Sequence, residues 1–122
     1  QIAATPQVGQ PIVHYFFPSG VVNADGTFGI VAARAGAGET AEIAFWARLA
    51  NGTVVGPDIA KPSAFGDTPD IPLMGDSARW GDYFDLELDP LDNSFWLTGM
   101  YMKSGGQFGE LWGTWVRNAE AE

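Results

Sequence analysis

Short turn sequences recur along this chain between apolar and aromatic runs: NADGT at 23–27, ANGT at 50–53 and KSGGQ at 103–107. Asp-Gly and Asn-Gly between such runs mark tight hairpins, because the loop needs residues that accept positive φ. This punctuation leaves no room for long helices and predicts strands near 11–17, 19–24, 27–34, 41–50, 53–56, 82–89, 94–102 and 109–117. The segment TAEIAFWARLA is the one candidate helix. Its aromatic centre and the Asn-Gly that follows favour a strand instead. The chain reads as all-β.

Several of these strands are apolar on both faces. In SFWLTGMYM, Phe95, Leu97 and Tyr101 point one way while Trp96, Met100 and Met102 point the other. A sheet wetted on one side would alternate more cleanly, so these strands predict sheets laid against other sheets, as blades are in a propeller or layers in a sandwich. An internal repeat favours blades. NADGTFGIVAARA aligns with PLDNSFWLTGMYM, placing Asp25 on Asp92 and Phe28 on Phe95. FWARLA aligns with TWVRNA, placing Trp46 on Trp115 and Arg48 on Arg117. The chain is therefore read as one all-β unit over 1–122, with blade-like repeats at 11–60 and 78–119. The Pro-, Gly- and Asp-rich segment 57–81 joins them. Antiparallel four-stranded blades, about two in this chain, are the expected fold.

Composition narrows the function classes. With 122 residues and 46% hydrophobic content, a real core is possible and general disorder is not expected. No apolar run is long enough for a membrane-spanning helix. The absence of cysteine removes disulfides, thiolate metal sites and a cysteine nucleophile. Net charge is −9, and most of it falls between Asp67 and Asp92, where eight carboxylates face the single Arg79. Such a surface repels a phosphate backbone, which weighs against nucleic acid as a partner, and attracts cations or hydroxyl-rich ligands. A solvated acidic face is the plainer account.

The motif RWGDY at 79–83, a strand ending in Asp89-Pro90, then Asp92, Phe95-Trp96 and a closing Trp112-Gly-Thr-Trp115, resembles the last blades of secreted, sialidase-like β-propeller proteins. YFFPSGVVNADGTFGIVAARA is similar to that family's P-x-x-x-V-N-x-x-G strand pair. The resemblance spans roughly 14–117. It implies a bladed fold in an extracellular or cell-envelope setting, and a fold more than an activity. Two departures separate this chain from the pattern. Asp85 and Glu87 stand where the family commonly has small hydroxyl residues, and Gly99 and Met100 stand where an Asn-Glu pair is frequent. Asp25 and Asp92 are similar to the family's Asp-box turn, in which the carboxylate accepts hydrogen bonds from its own turn.

The stretch 78–102 holds the candidate sites. With residues 82–89 extended, Tyr83, Asp85, Glu87 and Asp89 share one face. Asp85, Glu87 and Asp89, with Asp82, form a candidate Ca²⁺ site, whose oxygen-only ligands suit a hard cation. Trp80 and Tyr83 could instead form a stacking platform for a sugar ring, with Asp82 accepting hydroxyl hydrogens. The bland alternative is an Arg79–Asp82 ion pair that pins the loop under Trp80. Paired carboxylates could serve glycoside hydrolysis, but nothing places one in the apolar pocket a raised pKa requires. His14, the only histidine, has no partners for a triad, and GAGET lacks a phosphate loop's lysine. No catalytic residue is assigned, and the balance weighs against an enzyme. Three functions stay open: a structural or interaction module assembling with further blades or copies, a lectin-like carbohydrate-binding propeller, and part of a sialidase-like hydrolase with its catalytic groups elsewhere. Two blade units do not close a propeller, so other copies or blades are the expected partners, with a glycan as the further candidate.

Overall fold

The hairpin turns are built alike. At the first, the Asn23 amide donates to the Thr27 carbonyl (2.9 Å) and Gly26 returns a bond to Asn23 (3.0 Å). At the second, Leu49 donates to Thr53 (2.8 Å) and Gly52 to Leu49 (2.8 Å). Gly26 and Gly52 take φ of 79° and 91°, the region that excludes most side chains. These turns organise a computed structural model that describes residues 13–36, 39–62, 83–102 and 112–120. Its strands are β1 (Val13–Val22), β2 (Phe28–Gly36), β3 (Glu39–Arg48), β4 (Val54–Lys61), β5 (Asp85–Leu88), β6 (Phe95–Met102) and β7 (Trp112–Ala119). The described residues contain no helix, and residues 41–48 are strand as expected.

Two antiparallel sheets result, a first of order β1-β2-β3-β4 and a second of order β5-β6-β7. The second therefore has three described strands where four were expected. Two other details differ from the sequence reading. The strands expected on either side of Pro18 are one strand, with a bulge between Phe16 and Ser19 and Phe17 at φ 53°. Proline donates no ladder hydrogen bond, and an edge strand with a bulge is where a sheet tolerates it. Likewise β4 continues past Pro57 to Lys61 along the opposite edge, so residues 57–61 of the expected connector are strand.

The sheets pack face to face. Val31, Ile43, Phe45 and Ala47 of the first meet Leu86, Phe95, Leu97 and Ala119 of the second. Phe95, Ile43, Leu97 and Val31 are wholly buried, and each such side chain contributes about 1.5–3 kcal/mol. Phe95 lies over Gly29 so closely that a Cβ there would stand 2.7 Å from its ring, and it tilts against Phe45 at 5.7 Å between centroids. On the far side of the first sheet, Ala32, Ala44 and Trp46 form a second cluster with Tyr15, Ile30 and Ile59. The first sheet is thus apolar on both faces, as the sequence predicted.

The stack has a direction. Phe95, Leu97, Trp115 and Arg117 face the first sheet: the first two in the shared core, the others through Lys61 and Asp58 of β4. Their repeat counterparts Phe28, Ile30, Trp46 and Arg48 alternate with the core residues Val31, Phe45 and Ala47, so they face away from the second sheet. Equivalent residues therefore point the same way in both sheets. The hairpins differ in register by two residues, Phe28 lying opposite Arg48 but Phe95 opposite Ala119. An even shift leaves every side chain on its face.

Candidate functional site

Of the sequence-predicted site, Arg79, Trp80 and Asp82 lie outside the described residues, so the sugar platform is represented by Tyr83 and the metal site by Asp85, Glu87 and Asp89. Tyr83 just precedes β5 and is 62% exposed. Phe84, Leu86 and Leu88 turn into the shared core, which leaves Asp85 and Glu87 exposed beside it as the alternation required.

Asp85, Asp89 and Asp92 carry structural hydrogen bonds. Asp85 Oδ1 accepts from the Ser19 hydroxyl of the first sheet (3.1 Å) and from the Leu86 amide (2.9 Å). Asp89 Oδ1 accepts from the Leu91 amide (2.8 Å), and its Oδ2 accepts from the Trp96 indole Nε1–H (2.9 Å). Asp92 Oδ1 accepts from the Ser94 amide (2.9 Å). The Ser94 hydroxyl first, then its amide, holds the Asp92 carboxyl below the ordinary value of 3.8. Among the described residues no three His, Cys, Asp or Glu side chains come together as metal ligands.

The two turns that cap this end differ from the expected symmetry. Asp92 serves its own turn, as predicted. In the first turn the acceptor is Asn23, whose Oδ1 takes the Asp25 amide (3.1 Å) and the Thr27 amide (3.0 Å). Its Nδ2 donates to the Asn93 carbonyl (3.3 Å), tying one turn to the other. The role assigned to Asp25 thus belongs to Asn23, because its short side chain sits at the first corner of the turn, where both amides converge.

At the opposite edges of the two sheets, an open cleft of about 440 Å³ runs between β4 and β7. Arg117 bridges it to Asp58 at 2.9 Å, both side chains being nearly half exposed. Lys61 lies over the rings of Tyr101 (4.9 Å) and Trp115 (4.5 Å). Exposed ion pairs and cation–π contacts contribute at most about 1 kcal/mol each. These groups align the sheets more than they hold them.

The outward faces carry exposed apolar residues that the sequence reading did not single out. One row of ladder partners crosses the first sheet from Val22 through Phe28 and Arg48 to Val54. Its apolar members are 55%, 36% and 63% exposed. Beside it, a shallow groove of about 230 Å³ is lined by Tyr15, Pro18, Ile30, Ala32 and Trp46. On the outward face of the second sheet, Trp96 is 43% and Val116 61% exposed. The repeat alignment of Phe28 with Phe95 carried this signal: Phe95 is buried to 1%, whereas Phe28 lies over Gly20 of its own sheet and is 36% exposed.

Compared with family models, curated proteins and solved structures, the chain matches none.

Proposed function

We propose that this chain is a non-catalytic, extracellular β-propeller segment that acts as an interaction and structural module, assembling with further blades or copies. One observation carries the reading: repeat-equivalent side chains face the same way in both sheets. Layers stacked with one polarity always leave an unlike face at each end, so further layers can be added, whereas a two-fold sandwich hides like faces against each other. The exposed row Val22–Phe28–Val54 is the kind of apolar patch that marks an association surface. Sedimentation over a wide concentration range tests it. The reading expects masses that are multiples of 13.0 kDa. A single species at the chain mass throughout overturns it.

The exposed ring of Tyr83, next in sequence to Asp82 and close after Trp80, favours a second reading, a sugar-binding platform on the same fold. A glycan array tests it: binding should be present and lost in Tyr83→Ala. Absence of binding removes this reading without touching the first.

A further inference from the structure

Within the chain, Phe95 is a plug and the first sheet is its socket. The ring sits over Gly29 and against Phe45. Ladder register maps this arrangement onto the outward faces. Phe28 pairs with Val22 as Phe95 pairs with Leu88, so Phe28 stands in the plug position of the first sheet. Gly29 follows Phe28 as Trp96 follows Phe95. Phe45 lies opposite Val31 as Val116 lies opposite Thr98. The second sheet's counterparts of the two socket residues are therefore Trp96 and Val116. These are also exposed large apolar residues of its outward face, and Phe28, the unused plug, is exposed on the far side of the first sheet.

We propose that the partner is a second copy of this chain, docked head to tail. The row Val22–Phe28–Val54 of one copy lies on the outward face of the other's second sheet, with Phe28 seated between Trp96 and Val116. The proposal rests on the module reading above and names its partner and faces. Its operator is the one already present inside the chain, where the second sheet lies on the first. A contact between unlike faces leaves a free plug on one copy and a free socket on the other, so addition continues until a ring closes or a filament grows. Trp96 in place of Gly29 makes this contact aromatic on aromatic and shallower than the internal one.

Within the chain β5 lies against β1, which by the same operator sets β1 of one copy, at Val22, against β5 of the next, at Glu87. Both positions are exposed, and the chain has no cysteine of its own. Val22→Cys and Glu87→Cys chains, mixed and treated with a short bis-maleimide, should give a product at twice the chain mass. Either variant alone should not, and adding Phe28→Ser to the Val22→Cys chain should abolish it. A bis-maleimide is needed because stacked sheets stand about 10 Å apart, beyond disulfide reach. Melting curves on each variant confirm folding. If the unmodified chain associates but the mixed product is absent, or Val22→Cys alone links as well as the mixture, the head-to-tail contact is overturned while the module reading stands. If the unmodified chain stays at 13.0 kDa, both fall.

Discussion

Gly29 is a position where the account predicts the sign of a mutational effect against ordinary expectation. Replacing a strand glycine by alanine should stabilise a sheet by about 0.5–1 kcal/mol, through the backbone entropy of the unfolded chain. At Gly29 the added carbon would stand 2.7 and 2.8 Å from two atoms of the Phe95 ring and 3.0 Å from a Leu86 methyl. Carbon atoms in good contact sit about 3.5–4.0 Å apart, so the ring must shift by roughly 1 Å. Phe95 is 1% exposed and its ring is held between Gly29, Phe45 and Leu86 in the shared core. Overpacking of this kind costs about 1–3 kcal/mol, which leaves a net loss of up to about 2.5 kcal/mol for Gly29→Ala. Urea unfolding at one fixed protein concentration should show it as a midpoint lower by roughly 1 M with an unchanged slope. The cause is isolated by a double-mutant cycle with Phe95→Leu, whose smaller side chain makes room. In that background Gly29→Ala should cost much less. A stabilising Gly29→Ala, or one that costs the same in both backgrounds, would refute the packing of Phe95 over Gly29.

Phe95→Ala should destabilise by about 3–5 kcal/mol, since it empties the centre of the shared core. Leu91→Ala, at a side chain 93% exposed, should stay within about 0.5 kcal/mol, as thermal melts would show. Asn23→Ala removes an acceptor for two turn amides and the link to Asn93, so it should cost about 1–2 kcal/mol, whereas Asp25→Ala should be nearly neutral. Equal effects would contradict the assignment of the turn to Asn23. The folded-state pKa of Asp92 is depressed, so its contribution is complete above the ordinary value near 3.8 and is lost as pH falls through the lower folded value. Asp92→Asn should therefore flatten the acid limb of stability against pH and leave the neutral region almost unchanged. An acid limb as steep as before would remove that role.

The sheets were legible because their strands are punctuated by residues with few alternatives. Gly26 and Gly52 mark the corners where φ is positive, and the alternation of Phe95, Trp96 and Leu97 predicts which side each takes. Pro18 and Pro57 misled for one reason. Proline breaks a central strand, but both lie on sheet edges, which only the pairing order reveals. The candidate site was less legible. Alternation correctly put Asp85 and Glu87 on the face away from Leu86. Nothing in the spacing could show that Asp85 reaches Ser19 across the sheets, or that Asp89 holds the Trp96 indole. Those partners are set by how one sheet lies on the other. The same holds for the turn at 23–27, where Asn23 and Asp25 both fit the pattern and backbone geometry selects the first.

The direction of the stack is tested most directly by proton–proton contacts in solution. A nuclear Overhauser spectrum of the chain at low concentration should connect the Phe95 ring with the Gly29 α-protons and the Phe45 ring, while the Trp96 ring connects with neither. Contacts from Trp96 to Gly29 or Phe45 would mean that the second sheet presents its other face to the first, and the shared polarity on which assembly depends would be contradicted.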